Sequence, residues 1–146
     1  LALQMMGTES ARDVFHTDIW LMSLERKMDM YDHVVIADVR FPNEIDFIQS
    51  MGGFIVRVKR GDDPEWIDTA RFANTISNVE HQRVEQIDAR IRMEEEYRIH
   101  YSEWAWIGSI MDYQLDNSGS LSMLEAEMEH MRKVFTGPKN PATIAA

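Results

Sequence analysis

Apolar and polar positions change period several times along the chain, and each change predicts an element. Val34-Val35-Ile36-Ala37 is a short unbroken apolar run, as expected of a strand buried on both faces. Pro42 then suits a first helical position, because its fixed φ fits there and its missing N–H is not needed. Ile45, Phe47, Ile48 and Met51 recur at rough helical spacing, and Gly52-Gly53 provide a glycine stop. Phe54-Ile55-Val56-Arg57-Val58 reads as a second strand. Residues 34–59 therefore predict a strand–helix–strand unit with parallel pairing and a right-handed crossover.

The flanks are read in the same way. Residues 1–7, LALQMMG, either end a helix or line a pocket. A helix is expected from Thr8, the N-cap, with Glu9 in its first turn; Val14, Phe15, Ile19, Leu21, Met22 and Met28 recur along it. Trp20 on that helix is expected to pack against the sheet, and Asp29 to His33 lead into the first strand. Lys59-Arg60-Gly61-Asp62-Asp63-Pro64 is a turn. Residues 65 to about 99 are charged and lack Gly and Pro, predicting one or two helices. There Val84, Ile87, Ile91 and Met93 form a narrow stripe that suits a projecting arm or lid. After His100-Tyr101-Ser102-Glu103 comes an apolar patch, Trp104-Ala105-Trp106-Ile107. Tyr113 to Asn117 predicts a last strand, and Ser118-Gly119-Ser120 a turn and cap. Leu121, Leu124, Met128 and Met131 mark a closing helix, ended by Gly137-Pro138 with a loose tail over 137–146. The expected class is α/β, a parallel sheet flanked by helices, in one domain over 1–146 with 61–100 as the lid region.

Composition narrows the function. At 146 residues the chain can bury a core as one domain. No apolar run approaches the ~20 residues of a membrane span, and no signal-peptide pattern opens the sequence. The absence of cysteine excludes disulfides and thiolate metal sites and fits a reducing cytoplasm. A formal net charge of −10 argues against broad nucleic-acid binding. A small phosphorylated ligand stays compatible, since a few arginines can hold it locally. The 11 methionines suit an adaptable core.

Asp38-Val39-Arg40 is the foremost candidate for chemistry. Residues two apart in an extended segment point to one side, so both charges can face one pocket. The aspartate can orient a magnesium-bound water, and the arginine can grip a phosphate through two parallel N–H bonds. Glu44 can orient that arginine or accept from a ribose or base. The competing reading of Asp38 and Arg40 is an ordinary surface ion pair. Glu127 with His130, and Glu96 with His100, have the spacing of metal-ligand pairs, but one E-x-x-H falls short of a di-iron set. No Gly-x-x-x-x-Gly-Lys-Ser/Thr occurs, and Gly52-Gly53 follow a helix rather than opening one.

Several fragments taken together resemble the phage deoxynucleoside monophosphate kinase family. They are Leu3-Gln4-x-x-Gly7-Thr8-Glu9-x-x-Arg12, Asp18-x-Trp20, Asp38-Val39-Arg40-Phe41-Pro42-Asn43-Glu44-x-Asp46, Gly52-Gly53, His100-x-Ser102-Glu103 and Asn117-x-Gly119-Ser120-Leu121. The resemblance runs from about residue 3 to 131. It implies a P-loop kinase fold and transfer of the γ-phosphoryl group of ATP to a deoxynucleoside monophosphate with Mg2+. On this sequence it places Gln4, Gly7 and Thr8 on the monophosphate side, Asp38 near the metal, Arg40 on the acceptor phosphate and Glu44 on the acceptor nucleotide. Arg90, Arg92 or Arg98 would reach the phosphates from the lid, and Asn117, Gly119 and Ser120 would lie near the donor adenine.

Family members begin with a strand and a phosphate-binding loop ahead of Leu-Gln-x-x-Gly-Thr, and neither occurs here. With Leu1 in place of an initiator methionine, the expectation is a C-terminal kinase part, truncated or completed by a second polypeptide and inactive alone. A sheet position left open would invite homo-oligomerisation. The alternatives are a non-catalytic nucleotide-binding or interaction module of that fold, and an unrelated α/β domain with a chance Asp–Arg pair. Nucleotides are the expected partners, not nucleic acid or membrane, in the cytoplasm of a host if the source is a bacteriophage.

Overall fold

The computed structural model describes Arg12, residues 14–75 and residues 80–137. Among the described residues, five α-helices and two strands follow in the order α1 (Ile19–Met28), α2 (Pro42–Ser50), β1 (Val56–Lys59), α3 (Ile67–Asn74), α4 (Glu80–Ile91), β2 (Tyr113–Asp116) and α5 (Leu121–Thr136). A π-helical turn, Arg92–Glu96, continues α4, and a 3-10 turn occupies Tyr101–Glu103. This is α/β content with a small parallel sheet. The chain forms two compact units, one from residues 1–53 and 64–110, the other from 54–63 and 111–146.

In the first unit the core lies where α3 meets α4. Ala70, Ala73 and Ala89 are buried with Met93, Trp104 and Ile107. Alanines at the contact let the two helix backbones approach, and Met93 and Trp104 fill the remaining space. The Asn74 amide at the end of α3 donates to the carbonyls of Trp104 and Ile107, each at 2.9 Å. Trp104 Nε1 donates to the Ile99 carbonyl at 3.2 Å, so the ring is buried with its polar edge satisfied.

Two expectations for this unit are corrected. Val84 and Ile87 are 55% and 57% exposed, and the inward face of the segment is Gln86, Ala89 and Met93. The small Ala89 permits the close approach to α3, which the bulkier stripe would block. The segment thus supplies core from this face. Trp20 is half exposed, and Leu21 is the buried residue of α1. The helix predicted from Thr8 to Met28 is interrupted: Arg12 is π-helical, residues 14–18 hold turns, and α1 runs Ile19–Met28, while the start expected at Thr8 lies outside the described residues.

The predicted first strand is also corrected. Residues 33–36 and 38–40 have no regular structure, and Val35 is 93% exposed. A strand forms only by pairing, and no described segment pairs with this one. The helix after it forms as expected, Pro42 first and Gly52 beyond its end at φ +78°. A Cβ on Gly53 would stand 2.7 Å from Ile48 Cγ2 and 3.0 Å from the Ile48 carbonyl, so the chain turns back too tightly for a side chain there.

The second unit holds the sheet. β1 and β2 pair in parallel, from Val56↔Tyr113 to Lys59↔Asp116. Asp112 extends the pairing, its Oδ2 accepting from Ile55 N at 2.7 Å while its own N donates to the Ile55 carbonyl at 2.8 Å. Ser120 caps α5 by accepting from Met123 N at 3.3 Å. The half-buried residues of α5, Leu124, Glu127, Met131 and Phe135, share one face. Phe135 stacks on Phe54 at 4.1 Å, and Glu127 accepts from Tyr113 Oη at 3.1 Å. Desolvation, and then that carboxylate, raise the Tyr113 pKa. Among the described residues no helix is long and apolar enough to cross a membrane.

Two outcomes are expected. Met93→Ala should lower stability by about 2–5 kcal/mol in denaturant titration, because Met93 has no exposed surface. Glu129 should titrate at about 2 instead of 4.5, since Arg132 hydrogen-bonds its carboxylate. A depressed folded pKa stabilises above the unfolded value, so this contribution is lost as pH falls from about 4.5 to 2. Side-chain carboxyl NMR should show the low midpoint, and Arg132→Ala should move it back up.

Candidate functional site

The site is built around the start of α2. Pro42 keeps the preceding residue out of the helical region, and Phe41 is accordingly extended at φ −119°, ψ 147°. Glu44, on the first turn, folds back toward that residue. Its Oε2 accepts from Phe41 N at 3.1 Å and from Arg40 N at 2.7 Å. Its Oε1 is ion-paired with Arg12 Nη2. Arg12 Nη1 donates to the Thr17 carbonyl at 2.9 Å, and the guanidinium lies 4.1 Å from the centre of the Phe41 ring. The Arg12 and Glu44 side chains are only 6% and 13% exposed. Asn43 Nδ2 donates to Asp18 Oδ1 at 2.7 Å, adding a second tie to the start of α1.

These contacts fix the backbone of Arg40 while leaving its side chain at the surface. Arg40 Nη1 meets Glu103 Oε1 at 2.5 Å, with both side chains nearly half exposed. Glu103 comes from the 3-10 turn, where His100 Nδ1 accepts from Ser102 N at 3.3 Å and lies 2.8 Å from Ser102 Oγ. Tyr101 in the same turn stands edge-on to Phe41 at 6.0 Å and to Trp104 at 4.7 Å. An arginine, the Glu103 carboxylate and an exposed aromatic edge thus meet at one surface.

The predicted residues fall unevenly on this geometry. Arg40 and Glu44 come together, but Glu44 orients Arg40 through its backbone N–H, and its guanidinium partner is Arg12. Asp38 is exposed on the irregular segment two residues before Arg40. Arg90 Nε donates to the Ala73 carbonyl at 3.1 Å, closing the end of α3. Arg92 pairs with Glu96 at 3.1 Å, which raises its pKa. Arg98 is exposed with φ +55°, just beyond the π-helical turn. Among the described residues none of these three arginines hydrogen-bonds the Arg40 cluster. Gln4, Gly7 and Thr8 lie outside the described residues.

Asn117, Gly119 and Ser120 belong to the second unit. Asn117 N donates to the Lys59 carbonyl at 2.7 Å, and Ser118 Oγ accepts from Gly61 N at 2.7 Å. Ser118, donating to Asp116 at 2.8 Å, holds the Asp116 carboxyl below its ordinary range. The loop is internally tied, and Ser120 is occupied as a helix cap. Among the described residues no three His, Asp or Glu side chains converge as a metal-ligand group. One exposed carboxylate such as Asp38 still fits Mg2+, which usually takes one or two carboxylates and keeps several waters.

Arg12 and Glu103 received no role from sequence reasoning. Both stand inside the fragments that carry the family resemblance, which was the available signal. Glu44→Ala should cost about 3–5 kcal/mol in denaturant titration, because it strands the buried Arg12 charge. It should also free the Arg40 amide, visible as faster hydrogen exchange there.

The chain is similar to two curated proteins. It is 47% identical over 49 residues to the deoxynucleoside-5'-monophosphate kinase of Escherichia phage T5, a match covering 32% of this chain and 20% of that protein. It is 35% identical over 72 residues to a provisionally named deoxynucleotide monophosphate kinase of Acanthamoeba polyphaga mimivirus, covering 40% of this chain and 37% of that protein. No protein-family model matches the chain, and no solved structure matches it. The chain thus spans about a fifth and just over a third of the lengths of these relatives, and both carry the name of the kinase family that its motifs resemble.

Proposed function

We propose that this chain carries the acceptor-binding and lid parts of a deoxynucleoside monophosphate kinase of the P-loop type, a phosphotransferase moving the γ-phosphoryl group of ATP to a deoxynucleoside monophosphate. The observation that carries the reading is Arg40. Its backbone is pinned by Glu44, and its guanidinium reaches the surface at a half-exposed contact with Glu103. A cation held in this way suits an acceptor phosphate, because phosphoryl transfer depends on positioning and charge neutralisation.

In this reading Gln4, Gly7 and Thr8 line the monophosphate side, and Arg90, Arg92 or Arg98 approach the phosphates from the lid. Asn117, Gly119 and Ser120 lie near the donor adenine. Asp38 holds Mg2+ through water, and the ion neutralises phosphate charge when bound. Glu44 acts on the acceptor through Arg40.

Binding is the informative readout. Calorimetric titration of the folded chain with dTMP, dGMP and dCMP should give saturable binding to at least one of them. Arg40→Ala should weaken it by about 10–100-fold, the usual worth of hydrogen bonds to a charged group. No binding by folded wild type, or equal binding by Arg40→Ala, would overturn the reading.

A further inference from the structure

Arg40 and Glu103 project from two backbones that are held independently of the contact between them. On one side Glu44 Oε2 grips the Arg40 and Phe41 N–H groups. On the other, the 3-10 turn is fixed by Glu103 N donating to the His100 carbonyl at 2.9 Å and by Trp106 Nε1 donating to the Glu103 carbonyl at 3.0 Å. The next residue, Trp104, is buried in the core. Separating the two charges therefore leaves both backbones in place. With the side chains 45% and 44% exposed, the ion pair is also of the weak, solvent-screened kind.

We propose that Glu103 is an internal competitor for the acceptor site: its carboxylate holds Arg40 in the unliganded chain, and the monophosphate of an incoming nucleotide displaces it. The inference rests on the acceptor reading of Arg40 and adds a residue that sets affinity. A two-bond phosphate grip that includes Nη1 needs the N–H that Glu103 holds, so the carboxylate and the phosphate oxygen exclude one another there. Only the fraction of molecules with Arg40 released is competent, and the apparent affinity falls by that fraction. The factor belongs to the protein, so it is the same for every acceptor whatever its base.

The test uses the full chain and a two-by-two set of variants: wild type, Glu103→Gln, Arg40→Ala and the double variant. Each is titrated with dTMP, dGMP and dCMP. Glu103→Gln should tighten binding about two- to fivefold, the range that a weak exposed pair allows. Every nucleotide that binds should gain by the same factor, and the gain should vanish in the Arg40→Ala background. A merely structural role for Glu103 would not produce a gain dependent on Arg40.

Unchanged or weaker binding by Glu103→Gln, or a gain that survives Arg40→Ala, would overturn the proposal while leaving Arg40 as the acceptor residue. Wild type that binds nothing, or Arg40→Ala that binds like wild type, would overturn the acceptor reading and this proposal together. A measurement on wild type stands beside the variants. Saturating nucleotide should shift the Glu103 side-chain carboxyl resonance from its ion-paired position, and a resonance that does not move under saturation would refute displacement.

Discussion

A single carboxylate sets the local order of the candidate site. Glu44 accepts from two consecutive backbone N–H groups, and its other oxygen neutralises a buried guanidinium. Burying both charges is costly unless each is matched in geometry and hydrogen bonding. Arg12 meets that condition through Glu44, the Thr17 carbonyl and the face of Phe41. Among the described residues the segment before α2 is thereby shaped without sheet hydrogen bonds, and Arg40 is fixed at its root and exposed at its tip.

What could be read in the sequence divides along physical lines. Features that depend on one residue's backbone chemistry were legible: Pro42 opening α2, Gly52 closing it, Ser120 capping α5. The strands at 56–59 and 113–116 were also visible, within a residue or two of the expected ends. Features that depend on a partner were not. Val34-Val35-Ile36-Ala37 has the composition of a buried strand, yet no described neighbour supplies a ladder. On α4 the bulky stripe faces outward, because packing on α3 selects the small side chain of Ala89. The Asp-x-Arg spacing identified Arg40, but the roles of Arg12 and Glu103 arise from contacts across 32 and 63 positions that no local pattern encodes.

The arginine also has to act within an acidic chain of formal net charge −10. The long-range field of such a molecule repels anions, so an anionic ligand must be held by short-range, directed contacts. A guanidinium on a pinned backbone offers these. The candidate metal residue Asp38 and the candidate acceptor residues Arg40 and Glu44 fall in the first compact unit, and Asn117, Gly119 and Ser120 fall in the second.

The pairing of β1 with β2 has a consequence for how the protein is made. Val56 and Tyr113 are neighbours in the sheet but stand 57 positions apart in the chain, with the whole α3–α4 segment between them. At ordinary rates of translation, ~5–20 residues per second, β1 leaves the ribosome several seconds before its partner exists. Contacts between α3 and α4 are local and can form in that interval, whereas the sheet must wait for a distant closure. During synthesis Val56–Lys59 is therefore a nascent edge without its mate. The alternating Arg57 and Lys59 place charges on that edge, the kind of residue that discourages premature pairing with other chains.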